Sequence, residues 1–344
     1  MGHQTMIARF ITSTMEQPLV TSYLFTQLQR KWRQFRNCQI LKLLVLALLS
    51  FSLISACNWN SSENKSSIAN CRPIQHAMGK TCVSPNLKRV VVMAGTEIEL
   101  VVSLGVMPVG AAIGPAPNFI KERLEGVKDV SWPEPNLETI LSLKPDIILS
   151  TKGRVGQIYE QLSRIAPTVL TEFRNSYQWK SELRLFAKAL GKTERAEQIL
   201  NDYHQRAQKL ERQLGEPEDR PEVSVVDVRP GGIYPGEKNS FSGSVLEDAG
   251  LPRPSSQDHE DKINAGISME SIEAIDGDVM FIYAYGGSGA ESTLTELKAN
   301  PLWSKLEVVQ RDQVYEVPEY WIGRGPISAN LILDDLFKYL IKDS

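Results

Sequence analysis

Histidine and cysteine are both scarce, with four of each in 344 residues. His3 stands at the extreme N-terminus, and His76, His204 and His259 fall in three separate stretches. A site that grips a bare transition metal needs several such donors converging, or paired tyrosines for iron, and the spacing does not supply them. No Cys-x-x-Cys occurs, so a thioredoxin-like role has no support. The glycine-rich run 286–290 reads GGSGA and lacks the last glycine of a Gly-x-Ser-x-Gly elbow. A Walker loop, a Gly-x-Gly-x-x-Gly fingerprint and a zinc-finger spacing are missing too. The common hydrolase, nucleotide-binding and dinucleotide chemistries therefore lack their usual motifs. A secreted lipoprotein hydrolase stays as the one enzymatic alternative, and turnover of model esters tests it.

Long hydrophobic runs are absent but for one. Residues 43–54 are apolar, yet too short to cross a bilayer comfortably. A basic lead precedes them (Arg30, Lys31, Arg33, Arg36, Lys42), and they end in Ile54-Ser55-Ala56-Cys57. Small residues directly before a cysteine resemble a bacterial lipoprotein signal. Residues 1–56 are then a signal peptide to be excluded from the fold, and Cys57 is the lipidation site. Several acyl chains on one residue give durable membrane anchoring, which a single chain does not. A plain signal peptide or signal anchor is the alternative. An N-myristoylation pattern fails, because Met6 sits where Ser or Thr is needed.

Positive charge is in short supply as well. The formal net charge is −3, from 38 basic and 41 acidic side chains. The first 56 residues hold six of the basic ones (positions 9, 30, 31, 33, 36 and 42) and one acid, Glu16, so the remainder carries 32 against 40, a formal −8. Nucleic acid is not the partner of such a chain. An anionic ligand has to be held by a local group of arginines, against the overall field.

What is present is organised around residues 193–214, TERAEQILNDYHQRAQKLERQL. Ala196, Ile199, Leu200, Tyr203, Ala207, Leu210 and Leu214 recur at helical spacing and make one apolar stripe. Thr193 is a suitable N-cap, and Gly215 and Pro217 stop the helix. At 1.5 Å per residue it spans roughly 33 Å, about one small domain.

The chain before this helix resembles the chain after it. Residues 136–150 read NLETILSLKPDIILS and residues 268–282 read SMESIEAIDGDVMFI. Each starts on a cap residue (Asn136, Ser268), places Glu two positions on (Glu138, Glu270), and passes through a turn to Asp (Asp146, Asp278) and an apolar run. Each predicts a short helix feeding a buried strand. The fold class is therefore α/β: two Rossmann-like lobes of like construction bridged by a single long helix. The expected organisation is a signal peptide at 1–56, a tether with an N-terminal hairpin at 57–86, a first lobe at 87–176, a helical linker at 177–216 and a second lobe at 217–344. Cys71 and Cys82, left after the leader, form a possible disulfide across a hairpin turning near Met78-Gly79, although an ideal two-residue turn does not set them opposite each other.

Loops at the carboxyl ends of strands are where open α/β sheets bind ligands. Gly95-Thr96 follows the strand at 88–93 and opens a helix, so Thr96 is a candidate contact. Arg154 follows the strand ending near Ser150, and Arg229 follows the strand at 222–228. Gly231, Gly232 and Gly236 predict a flexible loop around Tyr234, a further candidate contact. The loop at 318–326, PEYWIGRGP, adds Trp321 as a cover for the cleft floor and Arg324 as a weaker candidate.

With these segments assembled, the chain resembles the solute-binding lipoproteins of ABC importers for ferric siderophores, a class with cobalamin-binding relatives. The resemblance runs from about Cys71 to the C-terminus. It is carried by the Cys57 signal, HAMGKT at 76–81 followed by KRVVVM, NLETILSLKPDIIL, FSGSVLEDAGL at 241–251, SMESIEAIDGDVMF and NPLWSKLEVVQRDQVYEV at 300–317. It implies a monomer without catalytic residues, resident cofactor or metal of its own, anchored by lipid to the cell membrane and facing the periplasm or cell exterior. Its ligand is a ferric siderophore held between the lobes, and its partner is an ABC permease that Glu138 and Glu270 dock on. Arginine suits the carboxylate and phenolate oxygens of such ligands. Cobalamin or haem as ligand is the alternative, and predicts a more aromatic, less arginine-rich cleft.

Overall fold

Runs of β-branched residues mark the strands. In the computed structural model, which describes residues 71–341 except 94, 96, 173–175 and 260–264, these runs build two separate sheets. The first has the order β5-β4-β3-β6-β7: β3 is Val90–Val92, β4 Gly110–Ala111, β5 Lys128–Asp129, β6 Ile147–Thr151 and β7 Thr168–Thr171. All of its pairings are parallel. Strands β3, β6 and β7 are buried along their whole length, as parallel strands covered on both faces must be. The second sheet has the order β11-β10-β8-β9, from β8 Val223–Arg229, β9 Gly232–Pro235, β10 Val279–Ala284 and β11 Val314–Glu316. Here β8, β10 and β11 run parallel, and β9 folds back antiparallel on β8. The segment around Tyr234, expected as a flexible loop, is thus a strand. Gly231, at φ 72°, makes the tight reversal that lets it pair.

The repeated unit does the same work in both lobes. Asp146 accepts hydrogen bonds from the backbone N–H groups of Lys88 and Arg89 (2.7 and 2.8 Å), just before β3. Asp278 accepts one from Glu222 (2.9 Å), just before β8. The next residues then pair in register, Val90 with Ile147 and Val223 with Val279. The helices differ. Leu137–Ser142 is an α-helix capped by Asn136, whose side chain accepts from the Thr139 N–H at 2.8 Å. Its counterpart is a single 3-10 turn, Ile272–Ile275, without a side-chain cap.

The long helix runs over Thr193–Leu214, as its periodicity predicts. Thr193 is its first helical residue rather than its cap; Lys192 holds the cap position. The preceding helix, Trp179–Leu190, ends on left-handed Gly191. The two helices join the sheets, and the joint is aromatic. Trp179 meets Tyr203 edge-on at 5.3 Å and Phe241 at 6.0 Å, and its indole N–H donates to Ser244. One apolar core runs without a break from Val92 and Leu149 through this joint to Val225 and Phe281. The described residues all fall in one compact unit, Asn70–Ser344.

At the N-terminal side, β1 (Arg72–His76) and β2 (Gly79–Val83) form an antiparallel hairpin. The turn places Pro73, not Cys71, opposite Cys82, yet Cys71 and Cys82 are bridged, with Cα atoms 5.6 Å apart. The hairpin covers the β7 edge of the first sheet: Ala77 N–H donates to Leu170 O at 3.0 Å.

Candidate functional site

Sequence dictates where the arginines sit. β6 ends at Thr151 and the chain turns into the short helix Lys152–Val155, which projects Arg154 from the carboxyl edge of the first sheet. The Arg154 guanidinium lies over the ring of Trp132, 4.1 Å from its centroid, and Trp132 is itself 41% exposed. In the second lobe Arg229 ends β8, and its guanidinium lies over the ring of Tyr234 at 4.5 Å. Asp227 fixes it from below through two hydrogen bonds, from Nε at 2.9 Å and from an η nitrogen at 2.7 Å. Each lobe therefore presents one arginine flattened on an aromatic ring at its strand ends. Sequence alone assigns Trp132, in its proline-rich stretch, no role. An exposed tryptophan just past a strand's carboxyl end was the signal available.

Charges from both lobes act on Arg154. Desolvation lowers the Arg154 pKa; Glu97 opposes this, Arg324 adds to it, and Tyr285 opposes it. Arg324 and Tyr285 both belong to the second lobe. Tyr285 is tied to the end of β8 by its N–H, which donates to Val228 O at 2.8 Å, one residue from Arg229. Asp227 is buried, and burial raises its carboxyl pKa against the pull of Arg229. Tyr283, fully buried beside the same pair, is pushed well above the usual phenol value, chiefly by burial.

Two buried links cross between the lobes. Arg324 donates to Glu97 Oε1 at 3.1 Å, with Arg324 only 7% exposed and Glu97 fully buried. Glu99 accepts from the Ser328 N–H and from the Ser328 hydroxyl, both at 2.7 Å. A first-lobe carboxylate thereby caps the last helix, Pro326–Leu340, which has no side-chain cap of its own. Gly325 makes room for it: a Cβ there would fall 2.8 Å from the Glu99 carboxyl carbon.

The chain also matches known proteins over most of its length. Residues 90–321 match the family model described as periplasmic binding protein. The chain belongs to that family. Within it, the chain is 33% identical over 321 residues to the probable siderophore-binding lipoprotein YfiY of Bacillus subtilis, covering 88% of this chain and 98% of that one. It is 32% identical over 307 residues to the Fe(3+)-citrate-binding protein YfmC of the same organism, covering 87% and 95%. Among solved structures it is similar to Staphylococcus aureus SirA complexed with staphyloferrin B. That match has 31% identity and a TM-score of 0.69, and covers 78% of this chain and 98% of that one.

Set within this periplasmic-binding-protein fold, the expected site residues divide. Arg154 stands at the carboxyl edge of the first sheet, and Arg229 with Tyr234 at that of the second. Trp321 does not join them: it is fully buried, stacked on Phe281 at 4.6 Å, with its indole N–H donating to Asp335 at 2.8 Å. Its expected place on the cleft floor is corrected to the second-lobe core, because the apolar face of β10 needed a large ring. Arg324 is buried and donates to Glu97 across the lobes. Glu138 and Glu270 are both exposed. The Ser268 hydroxyl holds the Glu270 carboxyl below its usual range. Thr96 and Cys57 lie outside the described residues. Among the described residues no three His, Cys, Asp or Glu side chains gather as a metal site, and no helix is long and apolar enough to cross a membrane.

Proposed function

We propose that this chain is the extracytoplasmic binding protein of an ABC importer. It captures a ferric siderophore or ferric citrate between its lobes and hands it to the permease, carrying out no chemistry itself. The observation that carries this reading is that each lobe has an arginine–aromatic stack, Arg154 on Trp132 and Arg229 on Tyr234, at the strand ends of a periplasmic-binding-protein fold. Guanidinium groups held flat offer forked donors to carboxylate or phenolate oxygens, and the rings beneath them offer apolar surface to the organic frame of a chelate. The named ligands of YfiY, YfmC and SirA belong to that chemical class.

Residues 1–56 are read as the export signal and Cys57 as the lipidated residue, which keeps the protein at the outer face of the membrane as a monomer. Glu138 and Glu270 are read as the permease contacts.

The test is a binding panel of ferric citrate, a ferric catecholate, a ferric hydroxamate, haem and cobalamin. Ferric citrate or a ferric siderophore should bind. Arg154→Ala and Arg229→Ala should each weaken it about 10- to 100-fold, the worth of one charge-assisted contact, with the unfolding midpoint little changed. Unchanged affinity in both variants removes the arginines from the site. Preference for haem or cobalamin replaces the proposed ligand.

A further inference from the structure

On a chain that is acidic overall, one surface is basic. It lies where the helix Trp179–Leu190 turns into the helix Thr193–Leu214. A cavity of about 440 Å³ there is lined by Arg72, Lys188, Lys192 and Arg195, with Glu194 as its single acid. Lys188, Lys192 and Arg195 are exposed. None of the four cations forms an ion pair among the described residues. Arg72 donates to the carbonyl oxygens of Lys188 and Ala189, both at 2.9 Å, and Arg195 to the side-chain oxygen of Gln198 at 3.2 Å; these contacts leave their charges unneutralised. Glu197, the next acid along the helix, is paired with Arg184 at 2.8 Å. Gly191 makes room for the group: it is left-handed, and a Cβ there would fall 2.9 Å from the Arg72 guanidinium. Arg195 also lines a second cavity, with Arg123 and without a carboxylate among the described residues. The acids that give residues 57–344 their formal −8 lie elsewhere on the surface, and salt screens them over about 8 Å. An anion arriving here meets cations first.

Two placements bear on what this surface meets. The chain enters the fold here: Arg72 follows Cys71, which the bridge to Cys82 fastens to the hairpin. Residues 57–70 can span no more than about 50 Å, so an acyl group on Cys57 keeps the fold within that distance of a bilayer. The surface also lies at the amino edge of the first sheet. The hairpin meets β7 at Leu170 through Ala77, and at Thr168 through Thr81, the partner of Ile74. Going back along β1 from Ala77 to Ile74 thus moves toward the amino end of β7, and Arg72 lies two residues further. Arg154 projects from the opposite, carboxyl edge. So does the start of the helix that carries Glu138: its cap, Asn136, donates its N–H to Val130 O at 2.9 Å, just past the carboxyl end of β5.

We propose that this basic surface rests on anionic phospholipid headgroups while the protein is off its permease. The proposal rests on the reading of Cys57 as the lipid anchor. In the resting pose the carboxyl edge, with Arg154 and Glu138, faces away from the bilayer and is open to arriving chelates. Docking through Glu138 requires the fold to leave the lipid and turn over, so the two poses exclude each other. Each lysine or arginine is attracted to an anionic surface only within about a Debye length, which makes the contact reversible and salt-sensitive.

The experiment is vesicle sedimentation with residues 57–344 carrying C57S, which keep the compact unit Asn70–Ser344 whole and remove the anchor. The vesicles are phosphatidylcholine, alone or with one third phosphatidylglycerol, at low and high salt. At low salt the chain should bind the phosphatidylglycerol vesicles at least about 10-fold more tightly, and high salt should abolish the difference. K188Q/K192Q/R195Q should lose about 10-fold or more. K128Q/K298Q/K305Q, which removes the same charge from exposed positions elsewhere, should bind as wild type does. Equal loss in both variants, or no preference for phosphatidylglycerol, overturns the proposal. Calorimetric binding of inorganic phosphate that the first variant loses, without vesicle binding, makes this a small-anion site and overturns it too. The affinity for a ferric chelate should be the same on vesicles as in buffer; a tenfold drop means that the cleft edge faces lipid, and overturns the pose. None of these readouts uses the anchor, so their failure leaves the anchor standing. Absence of labelled palmitate from Cys57 in cells strikes the anchor itself, and the resting pose falls with it.

Discussion

His76 shows how one side chain can set the acid limit of this fold. It is 8% exposed, in the hairpin that covers the first sheet. Its Nδ1 accepts from the N–H groups of Met78 and Leu170, both at 3.3 Å, so Nε2 carries the proton and donates to the Thr81 hydroxyl at 2.8 Å. A proton on Nδ1 would face two N–H groups. Burial accordingly lowers the His76 pKa below 6.5. Because the folded value is depressed, the stabilisation is fully present above pH 6.5 and is lost as pH falls through the folded value. The urea midpoint of wild type should fall relative to that of H76N between pH 7.5 and pH 5, and H76N should be weaker at pH 7.5. Parallel slopes would sink the idea. Glu182 acts with the opposite sign, since its raised pKa adds stability as pH falls below about 7, and the comparison of wild type with H76N cancels it. At this scale the sequence was legible in part. Strand ends located Arg154 and Arg229. Nothing local could say that Trp321 would fill the core, or that Arg324 would be taken by Glu97 from more than two hundred residues away. Glu182 did leave a trace, a charge at an apolar position of its helix.

Elements were more legible than residues, because periodicity and caps are local. The long helix and the repeated helix–turn–strand unit were visible as patterns, and the matched roles of Asp146 and Asp278 explain why the pattern recurs: each fastens the start of its lobe's first core strand. Strand β9 was missed, since Gly231, Gly232 and Gly236 read as loop until β8 offers an edge to pair with. The repeat also places Glu138 and Glu270 at the same distance before the paired strand in each lobe, both exposed. Neither carboxylate stabilises the fold through a buried contact, so removing both should leave folding and ligand affinity unchanged. If they are the permease contacts, Glu138→Ala combined with Glu270→Ala should abolish uptake of a labelled ferric chelate in cells that depend on this protein. Normal uptake by the double variant removes the docking role.

The whole molecule is built to close only slightly. A wide hinge needs a seam where few contacts cross, and this fold has none along its shared core. The aromatic joint of Trp179, Tyr203 and Phe241 lies inside that core. Glu97–Arg324 and Glu99–Ser328 cross between the lobes. At the flank, the Asn118 N–H donates to Glu319 at 2.6 Å, and Phe119 meets Tyr320 edge-on at 6.4 Å. Opening by tens of degrees would pull Glu99 off the first turn of the last helix and cost about 1.5–3 kcal/mol for each hydrogen bond lost to a charged group. Ligand capture must therefore come from side chains and the loops at the strand ends, with the sheets moving little against each other. Small-angle scattering with and without bound ferric chelate should show nearly superimposable profiles. A compaction of several ångströms would mean that the links between the lobes break and reform with each ligand, and that the long helix is a hinge rather than a strut.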